Sequence, residues 1–138
     1  MPKWMDGIEK MVAGTTPLPE FTRLVGIRFT EASPGRGVVE MDVDERHTNP
    51  MGTLQGGILC LLADTVMGLA YGTTLQDGES LTMLEVKVNY LRAVKKAHLR
   101  AEARVVKAGK TVGMVECDIT DEQNNLVARA SSTCMTLR

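Results

Sequence analysis

The segment ILCLLADTVMGLAYG, residues 58–72, holds one ionisable side chain, Asp64, among apolar neighbours. A carboxylate sunk in apolar surroundings costs on the order of several kcal/mol unless it is paired or hydrogen-bonded, so its presence needs a reason. On periodicity alone two reasons stand level. Asp64 is a catalytic carboxylate, or it faces a groove or bonds a neighbouring hydroxyl such as Thr65.

The flanking loop favours chemistry. HTNPMGTLQ, residues 47–55, is polar and turn-forming, and it delivers the chain into the pair Gly56-Gly57 at the start of the apolar run. The first amides of a helix have no intrahelical acceptor, and glycine leaves them without side-chain cover. A carbonyl oxygen can approach closely there and gain from the helix dipole. Eight residues separate Gly56 from Asp64, about 12 Å along a helix, whereas a reacting carbonyl needs both groups within about 3 Å. One chain cannot bring both to the same substrate. Two copies of the helix lying antiparallel would set Asp64 of one beside Gly56 of the other, so an active site built from these groups requires at least a dimer. Gly68 and Gly72 fit close approach of two backbones, and equally fit tight packing within one chain.

Other catalytic devices lack support. His47 and His98 are the only histidines, and neither has a serine or cysteine at a motif spacing. Cys60, Cys117 and Cys134 form an odd set without metal-ligand spacing and read as reduced, buried thiols. Between Arg92 and Lys110 the basic residues Arg92, Lys95, Lys96, Arg100, Arg104, Lys107 and Lys110 face a single acid, Glu102. They read as a landing site for phosphates or as the solvated face of a hairpin. The turn Lys107-Ala108-Gly109-Lys110-Thr111 offers ammonium groups and backbone amides together. Tyr90 is the only aromatic among them, which argues against nucleic acid.

Positioning these groups is the work of a chain whose apolar period changes along its length. Trp4, Ile8, Met11 and Val12 recur at helical spacing; Thr15 to Pro19 breaks that helix, and a second short one runs from Pro19 to about Leu24. From Ile27 the period is two: Ile27-Phe29, a turn at Ser33-Pro34-Gly35, then Val39, Met41 and Val43 alternating with acids. The apolar helix from Gly56-Gly57 to about Gly72 or Thr74 follows, and after it come strands over residues 81–91, 99–106, 112–120 and 126–137. Their separators are short enough for hairpins, which predicts an antiparallel meander. The expected fold is α+β, a six-stranded antiparallel sheet wrapped around a central helix, in one domain spanning 1–138 with residues 1–25 as a helical extension.

Composition excludes little but adds context. With 43% hydrophobic and 24% charged residues and a formal net charge of −1, nothing draws the protein as a whole toward nucleic acid or a membrane. The longest apolar stretch is too short to span a bilayer, and the charged first residues lack the apolar core of a signal peptide, so a cytoplasmic location is the expectation.

The run HTNPMGTLQGGILCLLADTVMGLAYG resembles the PaaI-like, phenylacetate-degradation type of hotdog thioesterases, which typically read HxNPxGxxHGGxxxxLxDxAxG. The likeness continues through LTMLEVKVNYLRAVKKAHLRAEARVVKAGK and covers the chain from about Gly26. It implies the hotdog fold, acyl-CoA thioester hydrolysis without a metal or cofactor, and a homo-oligomer, a dimer or a dimer of dimers. By resemblance, Asn49 helps position the thioester carbonyl, the Gly56 amide polarises it, and Asp64 of the partner acts as nucleophile or general base. Gln55 and Gly57 flank that site. Coenzyme A contacts are implied for the segment Tyr90 to Lys95 with Arg92, for the turn holding Lys107, Gly109, Lys110 and Thr111, and for Met83, Glu85 and Met135. The acyl group implied is aromatic or of short to medium length.

Two positions depart from the family pattern. Gln55 stands where histidine is frequent, although related thioesterases also carry Gln there. Met83 stands where a Ser or Thr often faces the catalytic water, and Thr82 beside it points to the opposite face of a regular strand. Alternatives to hydrolysis are an acyl-CoA-binding or regulatory module that has lost turnover, and a hotdog hydratase or dehydratase, which would need a histidine beside its carboxylate.

Overall fold

The computed structural model describes residues 3–138. Met1 and Pro2, part of the predicted extension, lie outside them. Helix α1 (Lys3–Ala13) buries Ile8 on its apolar side, and α2 (Glu20–Val25) ends at Gly26, whose φ of +92° is the left-handed turn glycine adopts freely. Strands β1 (Arg28–Ser33) and β2 (Arg36–Val43) form the predicted hairpin around Gly35. A single 3-10 turn (Glu45–His47) leads into the loop before α3 (Gly56–Gly72), and β3 (Ser80–Tyr90), β4 (Ala97–Ala108), β5 (Val112–Thr120) and β6 (Leu126–Leu137) complete the chain.

These strands make one six-stranded antiparallel sheet in the order β1-β2-β4-β5-β6-β3. The predicted four-strand meander is therefore corrected. β4, β5 and β6 are consecutive neighbours, but β3 pairs with β6 at the far edge and β4 pairs with β2. The connection after β3 is not a hairpin because its backbone is committed elsewhere: Leu91 and Arg92 N–H donate to the Val127 carbonyl, and the Val94 carbonyl accepts from Leu54 N–H at 2.7 Å. The chain thus crosses the end of the sheet beside the start of α3.

Helix α3 packs on the concave face. Leu62, Ala63, Val66 and Met67 are fully buried against Val39, Met41, Leu99, Ala101, Val115 and Cys117 from the sheet. Its opposite side is open along Gly57, Cys60, Leu61, Asp64, Thr65 and Gly68, so the helix is half-covered rather than enclosed. The convex face of the sheet carries ion pairs instead: Arg36 and Arg100 share Glu102 and Glu31, Arg104 meets Glu116, Arg129 meets Asp118, and His98 lies between Asp42 and Glu40.

Candidate active site

The loop before α3 is held by groups the sequence marks as polar. His47 is buried; its Nδ1 accepts from Asp44 N–H at 3.0 Å and its Nε2–H donates to the Val25 carbonyl at 2.7 Å. The His47 carbonyl in turn accepts from Gln55 N–H, which fixes where α3 begins. Asn49 closes the loop on itself: Oδ1 accepts from Met51 and Thr53 N–H, and Nδ2 donates to Thr53 Oγ1. Gly52, at φ +80°, makes that turn possible. The Asn49 amide is thus engaged with its own loop.

At the helix start the Gln55 side chain makes no capping bond, so the Gly56 and Gly57 amides stand at an uncapped N-terminus. Tyr90 from the end of β3 lies over Gly56, where a Cβ would meet its ring at 3.2 Å, and its hydroxyl sits against Cys60 Sγ. That hydrogen bond is the leading reason the Tyr90 hydroxyl titrates above its ordinary range. A groove of about 390 Å³ opens here, bounded by Thr53, Leu54, Gly56 and the segment Tyr90 to Val94.

Asp64 lies two turns further along α3, in a different hollow of about 510 Å³ that it shares with Gly57, Cys60, Leu61 and Val86. The carboxylate predicted to be buried is exposed in the single chain. Apolar neighbours still remove enough water to push its carboxyl above the usual aspartate value. Gly56 and Asp64 of one chain accordingly open on separate hollows, as the spacing required.

The strand facing Asp64 explains the Met83 departure. Met83 and Leu81 point inward, opposite Cys134 and Thr136, while Thr82 is exposed on the other face. A bulge between Met83 and Glu85 then shifts the register, so Val86 and Val88 face inward and Glu85 faces outward, accepting from Thr133 Oγ1 at 2.9 Å. The bulge falls after Thr82 and does not turn its hydroxyl toward the site. Cys134 takes up the inward position opposite Met83. Burial holds its thiol above the ordinary range against the opposing hydrogen bond with Ser132, and the negative fields of Asp64 and Glu85 add to the rise. Cysteine burial was read correctly for Cys117, whose thiol is pushed up to about 12, and for Cys134, but Cys60 is half-exposed on the open side of α3.

The predicted coenzyme A contacts divide into two groups. Tyr90 and Arg92 lie at the start of α3, with Arg92 3.9 Å from Asp121, and Lys95 follows the segment in the chain directly after Val94. The exposed turn of Lys107, Gly109, Lys110 and Thr111 lies at the other end, beside Gly113, which packs on the Tyr71 ring, and next to Met135, which pairs with Val112. A helix of 17 residues, about 25 Å, separates them. Arg100 and Arg104, in the same basic stretch, are neutralised on the convex face. The stretch is therefore not one patch, and one chain does not present both groups to one ligand.

A helix N-terminus open to a carbonyl, a carboxylate in an apolar hollow and flanking cationic segments are the components of acyl transfer to water. Residues 51–128 match the sequence profile of the thioesterase superfamily. The chain belongs to the thioesterase superfamily. It is 29% identical to human acyl-coenzyme A thioesterase 13 over 96% of each chain. Among solved structures it is similar to a thioesterase from Haemophilus influenzae, with a TM-score of 0.85 and 25% identity over 95% of this chain and 90% of that one. It is also similar to a phenylacetic acid degradation-related protein from Ralstonia eutropha, with a TM-score of 0.83 and 28% identity over 93% and 98%. The protein is a PaaI-like hotdog thioesterase and a thioester hydrolase. Neither histidine reaches the open side of α3, so the hydratase alternative lacks its second group: His47 is spent on the loop and His98 on the convex face. No helix among the described residues is long and apolar enough to cross a membrane.

Proposed function

We propose that the protein hydrolyses acyl-CoA thioesters at sites shared between two chains. The Gly56 amide of one protomer polarises the thioester carbonyl, and Asp64 of the partner subunit attacks it or takes a proton from the attacking water. The tetrahedral oxyanion collapses with loss of the coenzyme A thiolate, leaving the free carboxylic acid where water attacked, or an anhydride of the acyl group with Asp64 that water then cleaves to the acid where Asp64 attacked. The observation that carries the reading is the separation of Gly56 and Asp64 into two hollows on one open helix face. A second α3 laid antiparallel on that face would close both.

The β3 edge supports the same assembly. It carries Leu84, Val86 and Tyr90 exposed, and its outward backbone groups have no neighbouring strand in this chain. Pairing β3 with its copy would continue the sheet and bring the two helices side by side, in a dimer or a dimer of dimers. The antiparallel arrangement also sets Lys107, Gly109, Lys110 and Thr111 of one chain near Tyr90, Arg92 and Lys95 of the other, where together they grip the coenzyme A phosphates.

The deciding experiment follows thiol release from a panel of acyl-CoAs by the purified protein and by Asp64→Asn. Hydrolysis that the substitution abolishes is expected; undiminished release by the variant would remove Asp64 from the mechanism.

A further inference from the structure

The turn from Lys107 to Thr111 is held from outside its own hairpin by the last residues of β6 and the one after it. Thr136 N–H donates to the Thr111 carbonyl at 2.7 Å, and the Arg138 guanidinium donates through Nη2 to the Lys110 carbonyl. The peptides here are trans, so a carbonyl and the N–H of the next residue point opposite ways. Drawing the Lys110 carbonyl to Arg138 therefore turns the Thr111 N–H away from Arg138. The guanidinium is itself fixed, with Nε 3.0 Å from Glu79 Oε2. Glu79 stands just before β3 with its side chain 16% exposed; its Oε1 accepts from Gln76 N–H at 2.7 Å, and its carbonyl accepts from the Trp4 indole N–H at 2.5 Å. Arg138 thus spans an anchored carboxylate and the turn. Its charge is engaged with Glu79, whereas Lys107 and Lys110 are exposed.

Resting on the hydrolytic reading above, we infer that Arg138 and Glu79 form a brace that sets the turn in its phosphate-binding conformation, with Arg138 a positioning residue for coenzyme A rather than one of its ligands. A turn held in advance loses less conformational freedom when the phosphates arrive, so the brace adds affinity without touching them. Arginine suits the task because Nε and Nη2 belong to one rigid plane and reach carboxylate and carbonyl at once; lysine offers a single ammonium on a flexible stem. The opposite signs of the two residues separate a brace from a plain charge effect. Loss of the Glu79 carboxylate leaves the surroundings of the turn more positive, and electrostatics alone would then tighten phosphate binding. With a brace, the same change releases Arg138 and the Lys110 carbonyl, and binding weakens.

The test measures coenzyme A affinity by titration calorimetry, together with KM and kcat for one acyl-CoA and for the matching N-acetylcysteamine thioester. The full protein is compared with Arg138→Gln, Arg138→Lys and Glu79→Gln. All three variants are expected to bind coenzyme A about five- to tenfold more weakly and to raise KM for acyl-CoA in step, with kcat and the phosphate-free thioester unchanged. Parental or tighter binding by Glu79→Gln, or parental affinity in Arg138→Lys, would reduce the pair to simple charge and overturn the brace. An equal loss on the phosphate-free thioester would overturn it as well, by marking damage to the whole fold. Absence of hydrolysis by the parent, with coenzyme A weakened in all three variants, would instead remove the catalytic reading and leave the brace standing.

Discussion

The Tyr90 hydroxyl lies 2.9 Å from the Cys60 sulfur, and this one contact ties the last residue of β3 to the first turns of α3 directly above Gly56. The ring thereby forms a wall of the groove at the uncapped helix terminus. Tyr90→Phe keeps the wall and loses the bond, so it is expected to raise KM for acyl-CoA only a few-fold. Tyr90→Ala removes the wall and is expected to raise KM about tenfold or more, because a desolvated aromatic contact is worth about 1–2 kcal/mol. With the ring 55% exposed, melting temperatures of both variants should stay close to that of the parent.

Asp64→Asn should lower turnover by roughly 10²- to 10⁴-fold, the usual contribution of a positioned acid or base. The folded-state value of this carboxyl is raised, so the ionised form is the one the fold disfavours. Between the ordinary value near 3.8 and the raised one, stability falls as pH rises, and at neutral pH the asparagine variant should melt no lower than the parent. Activity of the parent should grow with pH through the raised value, as read from kcat/KM against pH.

Chains that each lack one half of the site should rescue each other. Asp64→Asn and Gly56→Val are both expected to be nearly inactive alone, the second because valine would collide with Tyr90. Mixed by refolding or co-expression, they form heterodimers with one intact site of two, and about a quarter of parental activity should return. Mixtures that stay inactive would contradict a site shared between chains.

Lys107→Ala with Lys110→Ala should raise KM for acyl-CoA and flatten its dependence on salt. Hydrolysis of the matching thioester of N-acetylcysteamine, which has no phosphates, should be unaffected. A comparable loss on both substrates would assign the turn a structural role.

Much of this site was legible in the sequence because it is local. The Gly56-Gly57 pair, the carboxylate eight residues on and the polar loop before them are set by helix spacing, and each element type was recovered from its apolar period. What was hidden depends on contacts between distant segments. The place of β3 beside β6 is decided by where residues 91–94 find hydrogen-bond partners, which no period reveals. The basic stretch reads as one patch until the sheet sends Arg100 and Arg104 to the convex face and the two remaining groups to opposite ends of α3. Cys60 reads as buried because its neighbours are apolar, yet the helix has a side the sheet never covers.

On the convex face His98 holds a proton more firmly than a free histidine, chiefly through its hydrogen bond to Asp42 and then through Glu40. A raised histidine value means a stabilisation present in full below about 6.5 and lost as pH rises through the folded value. Asp42, lowered mainly by the same bond, contributes above 3.8 and loses its contribution as pH falls through its own lowered value. His98→Gln should therefore cost more melting temperature at pH 6 than at pH 9 and leave turnover unchanged. The penalty should be small, since His98 is 40% exposed and solvent screens the pair.

The bulge at Leu84 works as a frameshift written into a strand. Upstream of it the odd-numbered residues Leu81 and Met83 look into the protein; downstream the even-numbered Val86, Val88 and Tyr90 do. Running the strand through Leu84 without the bulge would instead present Glu85, Lys87 and Asn89 to the interior and expel Val86 and Tyr90, placing a second carboxylate near Asp64 and stripping the groove of its wall. Which residues of β3 face the site thus depends on the bulge absorbing Leu84. A relative with one residue fewer here needs no bulge at all, because the residues matching Met83 and Glu85 would then alternate regularly and the same set would face inward.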